Sequence, residues 1–564
     1  MFKKNKHHLQ PVLISSVNEL PAEMRQHLEV SWAGVFYREF FCRLDEEAFA
    51  VLYADIPSRP NVPVNVLVGL EYLKAGFGWS DEEMYAAFQY NLQVRYALGY
   101  DEFGTGHFDL RTLYYFRERL SRYMQEKGVN LLDQAFEQVT DQQIAAFQLK
   151  TNLQRMDSTQ IGSHIREMGR LQLLVEVLQR VHRSLNADDQ AHYREAFAAY
   201  LQGQAGQYVY RLRREENAKH IQRIGEFMQG LLSELAGGYR EDPAYQILER
   251  VFNEHFKLEA GRAISKAGGE LSATSLQSPD DLEATFRRKA GKGYRGYVAN
   301  VTETCHPDNP LNLITEVQVA PNSVDDTHLL EQALPNLKQR TNLDTLYTDG
   351  GHGGPGPDAV LEEQHVTQIQ SGLRGNRPVP QKFSLSDFAI QFSEAGEPVQ
   401  VTCPQKQQVP LCPGHLNKGL VAYFNPTICQ TCPFWQAQKC TTVPGKRGGG
   451  QRLYVNWVSA HSSQRRRRSQ IQKTQPQNLR AAIEATIRSI KHPFPSGKLP
   501  VRGLFRMTCL MIGSAGMTNV RRIQRHLIAS HPSNQTGNPF SPFINRLWES
   551  WIHFIRLSKP YFAC

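Results

Sequence analysis

Residues 479–492 read LRAAIEATIRSIKH and predict an amphipathic helix that begins near Pro476 and ends at His492 and Pro493. One face of this helix is apolar and contains Leu479, Ile483, Ile487 and Ile490. The opposite face holds ionisable side chains at spacings of four, four and three, namely Arg480, Glu484, Arg488 and Lys491. Because the apolar stripe packs against a core, the ionisable face is left for solvent or for a ligand.

Glu484 is exceptional because of the charge around it. Residues 400–546 contain 21 lysines and arginines but no acidic residue besides Glu484, whereas the rest of the chain has a net charge of about −11. A stripe of exposed salt bridges contributes only about 0.2–0.5 kcal/mol per pair and does not explain one acid among so many bases. A metal-binding carboxylate, flanked by cations that hold phosphate, explains the pattern.

The composition of the whole chain sets the broad class. It has 564 residues, 41% of them apolar, with a net charge of +9 and a pI near 9.0. Since domains commonly hold about 100–200 residues, we expect several modules. The concentrated basic charge favours a nucleic-acid partner. The sequence lacks the patterns of a secretory signal and of a membrane span, which predicts a cytoplasmic protein whose nine cysteines are reduced.

Hydrophobic periodicity divides the chain into helical and strand regions. Strand patterns occur at residues 154–161, 296–303, 311–319 and 345–349, whereas residues 60–120 and 171–235 read as helices. We therefore expect an α/β protein with an all-α N-terminal domain and a mixed sheet that a helical insertion interrupts. The helix with Arg111, Arg117 and Arg119 fits either a helix-turn-helix DNA reader or a domain that only packs.

Two further carboxylates lie at the ends of predicted strands, Asp157 in MDSTQIG and Asp349 in LYTDGGHGG. In-line phosphodiester cleavage is served by two divalent cations about 3.5–4 Å apart, and a hard cation such as Mg²⁺ binds carboxylate oxygens. Asp157, Asp349 and Glu484 could converge on such a pair of ions. Taken singly, Asp157 also fits a helix cap and Asp349 a turn residue.

Five cysteines cluster in residues 403–440. Cys429 and Cys432 have the spacing of a zinc knuckle, and Cys403 and Cys440 would complete a tetrahedral Zn²⁺ site. The competing fourth ligands are Cys412 and His415. Reduced cysteines without metal inside a compact insertion are the alternative.

A second set of cations lies around the predicted helix. These residues are Arg465, Arg466, Arg467, Arg468, Arg521 and Arg522. Such a set is ordinarily a solvated charge cluster, but beside Glu484 we expect it to contact the DNA backbone. Phosphate contacts position a duplex without reading its bases.

The spacing Arg480-x3-Glu484-x6-Lys491 resembles the YREK signature of bacterial insertion-sequence transposases, in particular the insertion sequence 1182 type with its cysteine-rich insertion. The resemblance extends to residues 59–99, to MDSTQIGS at 156–163, to residues 283–304 and to LYTDGGHGG at 346–354. In one departure, the tyrosine of the signature falls at Gln477.

The resemblance implies an RNase H-like catalytic domain with a DDE triad, in which Asp157, Asp349 and Glu484 bind two Mg²⁺ ions that Mn²⁺ can replace. It implies that phosphates near the scissile bond are held by Arg480, Arg488 and Lys491. The implied activity is cleavage and strand transfer at the terminal inverted repeats of a mobile element, by a homodimer on double-stranded DNA in the nucleoid. A non-catalytic DNA-binding repressor and an RNase H-like nuclease without strand transfer stay open as alternatives.

The predicted organisation has seven segments. Residues 1–130 form a helical DNA-binding domain, 131–165 the first part of the catalytic domain, 166–265 a helical insertion, and 266–400 the continued catalytic domain. Residues 401–460 form a cysteine-rich insertion, 461–530 the catalytic helix and basic C-terminal part, and 531–564 an amphipathic tail.

Overall fold

The computed structural model describes residues 1–9, 15–54, 60–289, 291–372, 381–393, 395–414, 419–445, 450–472 and 479–530. The predicted tail at 531–564, the candidate ligand His415, and Pro476 and Gln477 lie outside these residues.

The N-terminal part is a bundle of helices, as its periodicity predicts. The helices are α1 (Ala22–Val30), α2 (Trp32–Glu39), α3 (Val64–Phe77), α4 (Asp81–Tyr90), α5 (Leu92–Ala97), α6 (Leu110–Lys127) and α7 (Leu131–Ala146). Helix α3 ends at Gly78, whose φ of 70° is in the left-handed region. A Cβ at Gly78 would overlap the carbonyl oxygen of Pro493, so glycine lets α3 approach the segment that follows the Glu484 helix.

The first strand of the sheet, β1 (Leu153–Ile161), leads into the helical insertion. This insertion contains α8 (Arg170–Ser184), α9 (Ala187–His192), α10 (Arg194–Phe197), α11 (Ala205–Tyr210), α12 (Asn217–Tyr239) and α13 (Pro243–His255). It has its own apolar core, to which the leucine stripe of α8 contributes. The insertion is not all-helical, because it closes with a hairpin of β2 (Phe256–Glu259) and β3 (Arg262–Ser265).

The mixed sheet continues after the insertion. Its elements are β4 (Thr285–Lys289), β5 (Lys292–Thr304), β6 (Ile314–Pro321), α14 (Asp326–Arg340), β7 (Thr345–Thr348), α15 (Pro355–Glu363) and β8 (Thr367–Gln370). The strand order is β6-β5-β1-β7-β8, and β4 pairs with the first part of β5. Strand β1 is antiparallel to β5 and parallel to β7, which confirms the predicted mixed sheet.

The cysteine-rich region contains more regular secondary structure than its sequence predicts. It forms an antiparallel sheet of β9 (Ala389–Phe392), β10 (Pro398–Thr402), β11 (Gln408–Pro413), β12 (Leu420–Phe424), β13 (Val443–Pro444) and β14 (Gln451–Val455), with the short helices α16 (Pro426–Gln430) and α17 (Pro433–Gln436). The sheet begins at Ala389, before the predicted boundary at 401. We call residues 389–455 the cysteine subdomain.

Three helices complete the described chain: α18 (Trp457–Gln472), α19 (Ile483–Lys491) and α20 (Leu504–Ala529). Helix α19 carries Glu484 and begins at Ile483, so the predicted start near Pro476 is too early for the described part. Its apolar face is confirmed, because Ile483 and Ile490 are fully buried. In the described residues, no helix is long and apolar enough to span a membrane.

Helix α20 joins the N-terminal helices to the mixed sheet. It packs against α3 on one side and against β6 on the other. Met511, Ala515 and Met517 of α20 belong to one continuous apolar core with residues of α3 and of β5. The N-terminal helices therefore have no separate core of their own.

Candidate active site

Asp157 lies on β1, and Asp349 directly follows the neighbouring parallel strand β7. The register of β1 and β7 pairs Arg155 with Tyr347, and each aspartate follows its member of this pair by two residues. Adjacent strands are about 4.8 Å apart, so the two carboxylates share one edge of the sheet. The Asp349 carboxylate acts on Asp157 and contributes to raising the pKa of Asp157, after the larger effect of burial.

Asp157 is 7% exposed and is held on both oxygens. Its Oδ1 accepts a hydrogen bond of 3.0 Å from the backbone N–H of Ser158. Its Oδ2 accepts a hydrogen bond of 2.8 Å from Nη2 of Arg480. Asp157 therefore lies in a largely buried position where its negative charge requires a cation.

Asp349 is fixed by the turn that follows β7. Its Oδ1 accepts hydrogen bonds of 2.8 Å from the backbone N–H of Gly351 and from Nδ1 of His352. Burial acts to raise the pKa of Asp349, but the His352 contacts and the Gly351 N–H outweigh burial and hold that pKa well below its usual range. Asp349 therefore stays ionised at neutral pH.

His352 is a site residue that the sequence analysis missed. Its side chain is fully buried, and its Nε2 lies 3.3 Å from Oδ1 of Asn300, whose Nδ2 donates to Gln318. These contacts run from Gln318 on β6 through Asn300 on β5 to His352 in the turn after β7. They fix the imidazole ring of His352, which orients Asp349. The signal was present in DGGH, where a histidine three residues after the carboxylate can reach back to it.

Arg480 lies among the three candidate carboxylates. Besides its bond to Asp157, its Nη1 is 4.0 Å from Oε1 of Glu484, and its charge helps to lower the pKa of Asp349. The Glu484 side chain is 67% exposed and lies across the guanidinium from Asp157. The described residues contain no group of three or more Asp, Glu, His or Cys side chains that could hold a metal ion as they stand. The three carboxylates thus surround an arginine and do not close on a single point.

One donor of Arg480 is unused. Its Nε is buried and has no hydrogen-bond partner in the structure. A buried guanidinium N–H without an acceptor is costly, on the order of 1–3 kcal/mol. An acceptor oxygen that reached this N–H would therefore stabilise the site.

Lys491 and Arg488 differ in their surroundings. Lys491 is partly buried, and its Nζ donates to Oγ1 of Thr159 over 3.1 Å and to the carbonyl of Gln160 over 2.9 Å. Burial lowers the pKa of Lys491. Arg488 is exposed. Lys491 is thus anchored to β1 just beyond Asp157, whereas Arg488 faces solvent.

A buried charge network attaches α19 to the sheet. Glu303 of β5 is fully buried and binds Arg155 and Arg522, each through a contact of 2.6 Å. Its Oε2 also accepts a hydrogen bond of 2.7 Å from Thr486 of α19. Arg155 in turn donates to the carbonyl of Leu479 over 2.7 Å. The sequence analysis missed Glu303, although an acid in a strand otherwise rich in apolar and small residues is a signal of a buried ion pair.

Three of the six arginines that were predicted to contact the DNA backbone bind partners inside the protein. Arg522 is bound to Glu303, and Arg521 donates to the carbonyl of Gly76 over 2.7 Å and stacks on Phe77. Burial, with a contribution from Arg525, lowers the pKa of Arg521 to about 10. Arg465 pairs with the buried Asp358. In these positions Arg465, Arg521 and Arg522 stabilise the fold, because a side chain committed to a buried partner is not presented to a phosphate. Arg466, Arg467 and Arg468 are partly buried along α18.

Arg117 of α6 is also engaged. It binds Glu71 and Asp81, each over 2.6 Å. This ion-pair group ties α6 to α3 and α4. For Arg117, the contacts favour the packing interpretation of α6 over the helix-turn-helix interpretation.

Four cysteines of the cysteine subdomain line one small cavity of about 20 Å³, namely Cys403, Cys429, Cys432 and Cys440. Burial and then the neighbouring thiols of Cys440, Cys403 and Cys432 raise the pKa of Cys429. The fifth, Cys412, is exposed on β11 and lies outside this cavity. The four that were grouped by spacing are thus neighbours in space, although they are not closed into a metal-ready geometry.

Two family models match parts of the chain. A model described as a transposase DDE domain matches residues 402–524, and one described as a transposase domain (DUF772) matches residues 26–119. No curated protein and no solved structure matches the chain. The first match contains Glu484 and the four clustered cysteines, and neither contains Asp157 or Asp349. Together the matches support a DDE transposase family, and with it an enzyme that acts on DNA.

Proposed function

We propose that the protein is a transposase of the YREK group that cuts the ends of its own mobile element and joins them to target DNA with divalent metal ions. The observation that carries this proposal is the placement of Asp157 and Asp349 side by side, with Arg480 and Glu484 next to them. The strand order β6-β5-β1-β7-β8, with one antiparallel half and one parallel half, supports an RNase H-like core. The cysteine subdomain between Asp349 and Glu484 supports the insertion sequence 1182 type.

The donor set fits a hard divalent cation. Asp157, Asp349 and Glu484 offer carboxylate oxygens, which Mg²⁺ and Mn²⁺ prefer to nitrogen or sulfur. When bound, two such ions supply an activated oxygen nucleophile and stabilisation of the leaving oxygen. The contacts of His352 and Gly351 on Oδ1 fix the orientation of Asp349, and Ser158 does the same for Asp157.

Arg480 has two roles in this proposal. Without a metal ion it neutralises Asp157, which would otherwise be a buried charge next to Asp349. With DNA bound, its partly exposed guanidinium donates to a phosphate oxygen, because a guanidinium can hold a phosphate through parallel hydrogen bonds. Arg488 and Lys491 add positive charge on α19, which begins three residues after Arg480.

We also propose that the cysteine subdomain binds Zn²⁺ through Cys403, Cys429, Cys432 and Cys440. Zinc is coordinated tetrahedrally by thiolates at about 2.3 Å, so the side chains would rotate inward around the ion. The antiparallel sheet holds the four cysteines close together, and Cys412, which lies outside their cavity, is not a ligand. The ion would stabilise the fold and would not act in the chemistry.

The decisive experiment uses purified protein and duplex DNA that contains the element end. We expect Mg²⁺-dependent nicking by the wild type, and transfer of a pre-cut end to a second duplex. Glu484→Gln should bind the same DNA with unchanged affinity and abolish nicking. Glu249→Gln, an exposed substitution of the same type on α13, is the matched control. Nicking by Glu484→Gln at the wild-type rate would refute the role of Glu484.

Two alternatives give different results in this experiment. A non-catalytic repressor binds the DNA end but nicks in neither Mg²⁺ nor Mn²⁺. A nuclease of the same fold nicks but does not transfer a pre-cut end. Analytical ultracentrifugation with and without DNA tests the proposed homodimer, since two element ends must be brought together.

A further inference from the structure

A basic series of side chains runs along β1 away from Asp157. Arg480 binds Asp157, and Lys491 binds Thr159 and Gln160. Gly162 forms a parallel bridge with Lys498, whose Nζ donates to the carbonyl of Ile165 over 2.9 Å. Arg502 donates to the carbonyl of His164 over 2.7 Å. Cations from residues 480–502 thus contact residues 157–165.

This series ends in a cleft between the segment that follows β1 and the helical insertion. The cleft measures about 630 Å³. Its walls include Arg166 after β1, residues of α8 such as Glu176 and Arg183, and Asp280, Lys498 and Arg502. The cleft therefore lies where the end of β1 meets the helical insertion. The proposed catalytic role gives this insertion no function of its own.

The cleft has more positive than negative side chains. Asp280 binds Arg180 over 2.5 Å and Arg502 over 3.5 Å, and Arg166 also acts on it. On α8, Glu176 is shared by Arg180 and Arg183, at 3.2 Å and 3.6 Å. Two carboxylates of the cleft, Glu176 and Asp280, are therefore accompanied by three arginines that line it, Arg166, Arg183 and Arg502, and Lys498 adds a further charge. Because the cations outnumber the carboxylates, the cleft suits a nucleic-acid strand, whose phosphates accept hydrogen bonds from guanidinium groups.

We propose that this cleft binds the phosphodiester backbone of the DNA strand that extends away from the cleavage site. The inference rests on the proposed function, and it gives the helical insertion a role as one wall of a DNA channel. From Asp157 to Gly162 a strand covers roughly 16 Å, at about 3.3 Å per residue. At about 3.4 Å per base-pair step, the cleft contacts phosphates about five steps from the cut.

Arg166 and Arg183 are the residues to change, because both are exposed and neither pairs with Asp157, Asp349 or Glu484. We expect the double variant Arg166→Ala, Arg183→Ala to bind a long duplex containing the element end about tenfold more weakly. The slope of log affinity against log salt should fall by about 2, because each phosphate contact contributes about 0.9 to that slope. The control is Arg194→Ala, Arg214→Ala, which removes two exposed arginines of the same insertion that do not line the cleft. Circular dichroism and thermal unfolding check that both variants fold.

The outcomes separate this inference from the proposed function. Equal affinity and salt slope for the cleft variant and the wild type, or an equal loss in the control, would overturn the DNA channel even where nicking is normal. In another outcome, the wild type binds DNA without nicking it, and the salt slope of the cleft variant is smaller by about 2. This result would support the DNA channel and contradict the transposase activity. A wild type that binds no DNA contradicts both.

Discussion

Arg480 donates a hydrogen bond of 2.8 Å to Oδ2 of Asp157 and lies 4.0 Å from Glu484, so one guanidinium links the sheet carboxylate to the helix carboxylate. A divalent cation that binds Asp157 must compete with this arginine for the same negative charge. The guanidinium and the metal ion are therefore alternative partners of the carboxylate, and this relationship can be tested in the protein without DNA.

We predict that Arg480→Gln destabilises the metal-free protein by about 1–3 kcal/mol, because Asp157 is left buried without its cation. Mg²⁺ should then raise the melting temperature of the variant more than that of the wild type, since the ion replaces the missing charge. Thermal unfolding with and without MgCl₂ measures both effects. Arg488→Gln, on the exposed side of α19, is the control and should change neither value. An identical Mg²⁺ response in Arg480→Gln and wild type would show that Asp157 does not receive the ion.

We predict that Glu303→Gln costs about 3–5 kcal/mol of unfolding free energy. The substitution leaves Arg155 and Arg522 buried around a neutral amide, and breaking a buried charge network has costs of that size. Urea unfolding provides the measurement. Asp308→Asn, whose ion pair with Lys150 is exposed, should have a much smaller effect on the unfolding free energy. A loss for Glu303→Gln as small as that of the control would mean that the network does not hold α19 on the sheet.

We predict a pH-dependent stabilisation from Asp133→Asn. Burial, with a smaller contribution from Glu137, raises the pKa of Asp133 to about 7, while Arg340 acts in the opposite direction. Because this folded-state pKa lies above the unfolded value near 3.9, the stability present at acid pH is lost as the pH rises towards 7. The variant should therefore gain roughly 1–2 kcal/mol more over wild type at pH 8.5 than at pH 5.0, after allowance for solvent screening. Urea unfolding at the two pH values tests this, with the exposed Asp188→Asn as control. A gain that is equal at both pH values would contradict the shifted pKa.

We predict that the protein binds about one Zn²⁺ per chain, and that Cys429→Ser removes it while Cys412→Ser does not. Cys429 lines the four-cysteine cavity, whereas Cys412 is exposed outside it, so the two substitutions differ in position and not in chemistry. Elemental analysis of chelator-washed protein gives the zinc content, and thermal unfolding should show a loss of stability for Cys429→Ser alone. Absence of zinc from wild-type protein purified in zinc-containing medium would reject the site.

Local patterns were sufficient to predict the elements that carry the candidate carboxylates. The strand pattern at residues 154–161 and the turn glycines after Asp349 correctly indicated β1 and β7, and the apolar stripe of Ile483 and Ile490 correctly indicated α19. These signals depend on neighbours within a few residues, and the sequence shows such neighbours directly.

Contacts between distant residues were not predictable in the same way. The sequence does not show that Arg522 binds Glu303 or that Arg465 binds Asp358, because each pair is brought together by the fold. Six arginines were therefore predicted to contact the DNA backbone, although three of them, Arg465, Arg521 and Arg522, bind partners inside the protein. The extent of the cysteine subdomain was missed because its short strands also expose large side chains such as Val399, Tyr423 and Tyr454, so they show little alternation of apolar and polar residues.

The position of α20 has a consequence for how the chain is made. Helix α3 packs against α20, yet roughly 400 residues separate them, and at about 5–20 residues per second the ribosome takes about 20–80 s to supply the second helix after the first. During that interval the apolar side of α3 has no native partner and is open to wrong associations. The newly made polypeptide must therefore be protected until its late helix arrives, and a truncated product that stops before residue 504 would leave the N-terminal helices without a finished core.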